Sequence, residues 1–325
     1  MEIKESQYNF SEMHQRMQFY VDAGILPCCA TAVFKGTDLV DHQTFGFMDL
    51  ETREPLRDDA IYRMASNTKL VTSVALMMLQ EEGLFDLDDP LAKFIPEFGD
   101  LQVLQPDATT AADVHPAKNL ISIRHLLSHS AGLSYGFVEP DSVIDQCYLN
   151  GGVNGLGEKD IDLEELCAGI AKLPLAFEPG TSWRYSFATD VCARLVEVLS
   201  GQSFDAFLRQ RIFDPLGMMD TDFWVPQEKA HRLITMYSPE DLFDPMKPGL
   251  NKADDVITGP YRARPKMLSG GGGLVSTVAD YSAFLRMIVN EGEWSGAQLL
   301  KPETLRLMRS NHLADGVQVA FPMWA

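Results

Sequence analysis

A serine and a lysine three residues apart, Ser66-Asn67-Thr68-Lys69, stand at the start of a strongly apolar stretch carrying Leu70, Val71, Val74, Ala75, Met78 and Leu79. That spacing predicts a helix from Asn67 to Glu82 ended by Gly83, and residues i and i+3 of a helix share a face. Both side chains then project from one side of the first turn. A serine hydroxyl is a weak nucleophile until a neighbour takes its proton, and a lysine amine does so only when neutral. The positive end of a helix dipole, and burial without a partner, both disfavour an ammonium. The chemistry open to such a pair is acyl transfer through a serine ester. A serine just before a helix is also a common N-cap, so the spacing alone leaves that reading open.

Tyr185-Ser186-Phe187 opens a second predicted helix, running to Leu199 and stopped by Gly201. On the pattern alone Tyr185, beside Trp183, reads as a core tyrosine. His125 and His129 have the i, i+4 spacing of two metal ligands, but no HExxH-type glutamate or third ligand stands nearby. Packing and hydrogen bonding are expected of them, and caps or backbone contacts of Ser128, Ser130 and Ser186. The run Gly270 to Gly273 lacks the Lys-Ser/Thr of a phosphate loop, so it reads as a tight backbone passage into a helix capped by Thr277 with Asp280.

The remaining elements must bring these residues together. Residues 13–24 read as an amphipathic helix, 28–36 as a buried strand, and Asp38 onward as its antiparallel hairpin partner. Helices dominate from about 66 to 215: Ile123 to Ser130, one capped by Asp162 with Glu165, and Phe204 to Phe213 capped by Ser203. Two more are expected over 277–291 and 302–310.

The 325 residues suffice for one large mixed domain or two lobes. A net charge of -19, from 46 acidic against 27 basic residues, argues against nucleic-acid and anionic-membrane partners. No apolar run reaches the roughly 20 residues of a membrane span, and Glu2, Glu5, Glu12 and Asp22 break any signal-peptide pattern, so a cytoplasmic location is expected. Cys28, Cys29, Cys147, Cys167 and Cys192 read as reduced thiols, buried in the main.

Longer phrases extend the serine-lysine motif. Tyr62-Arg-Met-Ala-Ser-Asn-Thr-Lys-Leu-Val-Thr-Ser, with Gly83-Leu-Phe-Asp-Leu-Asp-Asp-Pro-Leu, resembles the nucleophile region of class C β-lactamases and family VIII carboxylesterases. Ile123-Arg-His-Leu-Leu-Ser-His-Ser-Ala-Gly-Leu, Phe177-Glu-Pro-Gly-Thr-Ser-Trp-Arg-Tyr-Ser, Ile212-Phe-Asp-Pro-Leu-Gly-Met and Gly272-Gly-Leu-Val-Ser-Thr-Val-Ala-Asp resemble further segments of that β-lactamase-related family, in the same order. The resemblance implies an α+β, β-lactamase/transpeptidase-like fold. Its antiparallel sheet lobe would use residues of about 1–65 and 270–325, beside an all-helical lobe of about 66–269, with Ser66 at their junction.

It also implies Ser66 as nucleophile, Lys69 and Tyr185 as its proton partners, no cofactor, no metal, and a small ester or amide as substrate. One oxyanion donor would be the Ser66 N–H and the second would come from a late strand. Phe187 stands where β-lactamases carry an asparagine, which favours an esterase-like pocket lined by Trp183 and Phe187. The same fold serves β-lactamases, D-amino-acid peptidases and acyltransferases, and a non-catalytic binding protein or inactive fragment is the alternative outside them. The family's third motif, Lys-Thr-Gly, His-x-Gly or Trp-Gly-Gly, does not occur after Asp280, and the sequence ends at Phe321-Pro-Met-Trp-Ala. Further strands are expected beyond that point in the family, and without them an open sheet edge would invite a second copy.

Overall fold

In the computed structural model α1 (Ser11–Asp22) precedes a hairpin of β1 (Cys28–Lys35) and β2 (Asp38–Asp49), whose register runs from Cys28↔Gly46 to Lys35↔Asp38. After β3 (Glu54–Pro55) and β4 (Tyr62–Arg63), a 3-10 turn over Ala65–Asn67 leads into α2 (Thr68–Glu81). β5 (Gln102–Leu104) and β6 (Val114–Pro116) are followed by α3 (Ile123–Leu127), α4 (Val143–Asn150), α5 (Leu163–Ile170), α6 (Ala188–Ser200), α7 (Phe204–Leu208) and α8 (Asp214–Leu216). β7 (Tyr237–Pro239), β8 (Leu250–Lys252), β9 (Val275–Ser276), α9 (Val278–Val289), β10 (Glu293–Trp294), β11 (Ala297–Gln298) and α10 (Pro302–Met308) complete the chain's elements. The structure describes residues 2–4, 7–153, 161–253 and 261–320; Glu5 and the closing phrase Phe321 to Ala325 lie outside the described residues. Among the described residues no helix is long and apolar enough to cross a membrane.

Two expected helices end early, each for a local reason. The one from Ile123 stops at Leu127 because His129 takes a left-handed backbone, φ 54°. The one from Phe204 changes after Leu208 into a π turn over Arg209–Phe213. Pro215 lacks the N–H that would bond the Arg211 carbonyl, and its ring crowds that carbonyl.

One compact unit comprises Met1–Arg63, Phe213–Arg264 and Val275–Leu299. Its sheet has the order β1-β2-β3, and β4 pairs antiparallel with β9, Tyr62 opposite Ser276, so an early and a late segment share a ladder. Met48, Leu56 and Ala60 form one core cluster, Ile61, Val225 and Val275 another. The Thr277 hydroxyl caps α9 by accepting from the Asp280 N–H at 3.1 Å. The reciprocal half of a capping box is not made, because the Asp280 carboxylate accepts instead from Asp220 N–H and the Thr221 hydroxyl.

The second unit comprises Met64–Ile212, Pro265–Leu274 and Leu300–Ala325. Its centre is α2 against α6. Val71, Val74, Ala75, Leu76 and Leu79 of α2, and Val191, Cys192, Ala193, Leu195 and Val196 of α6, are almost fully buried. Each large aliphatic side chain so buried contributes roughly 1.5–3 kcal/mol. α5 carries the expected reciprocal cap between Asp162 and Glu165.

A buried charge network fixes the segment before α6. The Arg184 guanidinium donates to Asp145 Oδ1 at 2.9 Å, to Ser134 Oγ at 2.7 Å, and to Glu139. Asp145 has no exposed surface and also accepts from the Glu139 N–H at 2.6 Å. Removing one partner of a buried pair strands the other charge. Asp145→Ala should therefore cost about 3–5 kcal/mol in denaturant unfolding, and Glu139→Ala, whose side chain is 41% exposed, about 1 kcal/mol or less. Equal losses in the two variants would mean that the network does not carry this load.

Candidate active site

The 3-10 turn before α2 sets the serine apart from an ordinary cap. Ala65 occupies the left-handed region at φ 44°, a strain of about 1–3 kcal/mol for a residue with a Cβ. The turn leaves Ser66 exposed, and its hydroxyl makes no capping bond. It lies instead 2.6 Å from the Tyr185 hydroxyl, while Lys69 Nζ donates to Ser66 Oγ at 3.3 Å. The capping alternative left open by spacing alone is thus not the one adopted. Tyr185 reaches this point from the segment just before α6, and Lys69 from the first turn of α2.

Lys69 Nζ is held from three sides. It donates to the Gly271 carbonyl at 2.6 Å, and it stands 4.6 Å from the Tyr185 ring centroid and 5.6 Å from that of Tyr135. Aromatic faces attract a cation but can also accept a neutral N–H. The Gly271 carbonyl belongs to the glycine run, which does pass tightly between helices. A Cβ on Gly270 would stand 2.6 Å from Ala193 Cβ, and one on Gly271 would stand 2.8 Å from the Tyr135 hydroxyl. From α2, Thr72 Oγ1 donates to the Gly270 carbonyl at 2.8 Å, and the Leu274 N–H donates to Thr68 Oγ1 at 3.2 Å.

The aromatic residues divide. Trp183 is half-buried, its ring 6.5 Å from Tyr185 and 6.2 Å from His129. Phe187, expected to line the pocket with Trp183, is 3% exposed and lies in the core, its ring 4.4 Å from Tyr135 and 6.2 Å from Tyr148. As the last residue before α6 it points with that helix's buried face.

Two residues near the site, Tyr135 and Asp190, were not singled out by sequence reasoning, and a third has more to it than was expected. His129, expected to pack and hydrogen-bond, has its ring 5.1 Å from Tyr185 and Nδ1 3.2 Å from Ser186 Oγ. Burial, helped by the positive charge of Lys69, pulls its imidazole down to about 3. Tyr135 lies under Lys69, and burial raises its phenol well above the usual range. Asp190, in the first turn of α6, is 1% exposed, and burial raises its carboxyl against the opposing pull of Ser269, Lys69 and Gly271. The available signal was an acidic residue inside the otherwise apolar Val-Cys-Ala helix face, but an acid in a first turn ordinarily just complements the dipole. Among the described residues no group of three or more His, Cys, Asp and Glu is placed to hold a metal ion.

A family model described as Beta-lactamase matches residues 13–323. The chain belongs to that family. Protein Rv1367c of Mycobacterium tuberculosis is 35% identical over 294 residues, 90% of this chain and 70% of the relative. The lovastatin esterase of Penicillium rubens is 33% identical over 80% of this chain and 62% of its own. Among solved structures, EstCE1, a hydrolase with promiscuous acyltransferase activity, superposes with a TM-score of 0.79 at 23% identity, covering 94% of this chain and 77% of that one. The fold is therefore β-lactamase/transpeptidase-like, a mixed helix-and-sheet architecture. The chain is a member of a serine hydrolase family that includes esterases and acyltransferases.

The buried imidazole has a consequence for stability. His129 titrates near 3 when folded and near ~6.5 in an unfolded chain. As pH falls the unfolded state takes the proton first, so this contribution is complete above about 6.5 and is lost as pH drops toward the folded value. His129→Asn, which tolerates the left-handed backbone, should flatten unfolding free energy against pH between about 6.5 and 4 by up to ~1.4 kcal/mol per unit. Parallel wild-type and variant profiles over that range would rule out a buried neutral imidazole.

Proposed function

We propose that this chain is a serine hydrolase that cleaves esters of small acyl groups through an acyl-enzyme on Ser66. The observation that carries this reading is an exposed Ser66 hydroxyl with the Tyr185 hydroxyl at 2.6 Å and the Lys69 amine at 3.3 Å. Ser66 Oγ attacks the ester carbonyl carbon while its proton passes to the Lys69–Tyr185 pair. The tetrahedral intermediate collapses, the bond to the alkoxide breaks, and the pair returns the proton to that leaving oxygen. Water then adds to the serine ester and releases the acid, restoring the hydroxyl. The Ser66 backbone N–H serves as one donor to the oxyanion. If an alcohol replaces water in the second half, the product is a new ester, which makes the same site an acyltransferase.

The half-buried Trp183 beside Tyr185 supports an apolar wall for the acyl group. Phe187 in place of an asparagine supports esters over β-lactams, now through its burial: it offers no amide to a lactam side chain. The name of the lovastatin esterase agrees with ester chemistry in the family.

A fluorophosphonate should add one phosphonyl group to the intact protein at Ser66, and Ser66→Ala should abolish both that mass shift and the turnover of p-nitrophenyl butyrate while retaining the fold. The ester should have a higher kcat/KM than nitrocefin. Labelling elsewhere, or undiminished hydrolysis by Ser66→Ala, would remove Ser66 from the chemistry; a nitrocefin value equal to or above the ester's would make the protein a β-lactamase.

A further inference from the structure

The residue whose carbonyl receives Lys69, Gly271, is itself held at its backbone N–H by Asp190. Its Oδ1 accepts from the Gly271 N–H at 3.0 Å and from Ser269 Oγ at 2.6 Å, and its Oδ2 lies 3.5 Å from the Tyr135 hydroxyl. The N–H bound by Asp190 and the Gly270 carbonyl bound by Thr72 at 2.8 Å belong to one peptide unit. That unit is therefore pinned at both ends, from α6 and from α2, and the next carbonyl along the chain is the one Lys69 Nζ meets at 2.6 Å. The first turn of an exposed helix would not need this arrangement. An acid there for the dipole faces water, whereas Asp190 is 1% exposed and every contact just described turns toward the glycine run or the tyrosine under Lys69. Gly271 has no room for a Cβ, which would run into Asp190 Oδ2.

Resting on the reading that Ser66 and Lys69 do the chemistry, we propose that Asp190 is a positioning residue: its carboxylate fixes the Gly270–Gly271 peptide, and through it the carbonyl that sets Lys69 Nζ beside Ser66. One segment then supplies two parts of the site, since Tyr185 stands five residues before Asp190. A displacement of the amine by an ångström is enough to cost about 100-fold in rate. Asparagine at this position can offer its amide oxygen to the same two donors and its amide nitrogen to the Tyr135 hydroxyl, so the placement survives that change.

The test measures two things on the full chain: kcat and KM for p-nitrophenyl butyrate, and the rate at which acetic anhydride acetylates Lys69 at fixed pH, read by peptide mass spectrometry. Asp190→Ala should lower kcat about 100-fold with KM within about threefold, and should raise Lys69 acetylation severalfold as the amine leaves its carbonyl. Asp190→Asn should remain within about threefold of wild type in both measurements. Thr72→Val, which frees the other end of the same peptide and changes little in volume, should lower kcat about tenfold and also raise Lys69 acetylation. If Asp190→Ala does not fold, Thr72→Val and Asp190→Asn decide alone. The proposal is overturned if Asp190→Asn falls as far as Asp190→Ala, if turnover drops with Lys69 reactivity unchanged, or if Thr72→Val alters neither. A wild-type chain without ester turnover but with this pattern of Lys69 acetylation would refute the hydrolase reading and leave the positioning role standing.

Discussion

An amine at the end of four methylenes has to be held still if it is to exchange a proton with one particular hydroxyl. A free lysine side chain carries up to about 2 kcal/mol of rotamer freedom, and in this protein the hydrogen bond from Lys69 Nζ to the Gly271 carbonyl is what removes it. The bond constrains much of the surrounding unit. The glycine run has to pass close enough to α2 and α6 to offer its carbonyl, so Gly270 and Gly271 tolerate no side chain. Those two helices in turn are locked by their apolar faces, which keeps Thr72, Asp190 and Tyr185 in register with one another.

Local conformations that cost free energy gather around the same point. Ala65 and His129 both adopt left-handed backbone, one just before the serine and the other behind Tyr185. A buried imidazole and a buried carboxyl lie close enough to Lys69 for its charge to act on both. Arg184, next in sequence to Tyr185, is tied into the Asp145 network. Such features persist only where the surroundings over-determine them, as the tightly packed α2–α6 core does here.

Sequence patterning was sufficient for what is local. The apolar spacing of α2, the reciprocal cap of Asp162 and Glu165, the β1–β2 hairpin and the serine-lysine juxtaposition are all set within a few residues, and the phrases surrounding them carried the family. Pairings over long separations are not reported by periodicity. Ser66 meets Tyr185 across 119 residues, a pairing expected from the family resemblance alone, and Lys69 meets Gly271 across 202, which nothing in the sequence announced. Phe187 illustrates the difficulty: its type suits a pocket wall or a core equally, and only the packing of Tyr135 and Tyr148 on either side decides. Asp190 was hidden for a related reason, because an acid in a first turn has a commonplace explanation until its partners are seen.

The central claim is that Ser66, Lys69 and Tyr185 act as one unit, and a double-mutant cycle on acylation tests it most directly. The second-order rate of fluorophosphonate labelling at Ser66 is measured for wild type, Lys69→Ala, Tyr185→Phe and the double variant. Residues that act together lose most of their effect when either is removed, so each single change is expected to cost about as much as the pair. A double variant slower than wild type by the product of the two single losses would contradict the account, because the lysine and the tyrosine would then be acting independently.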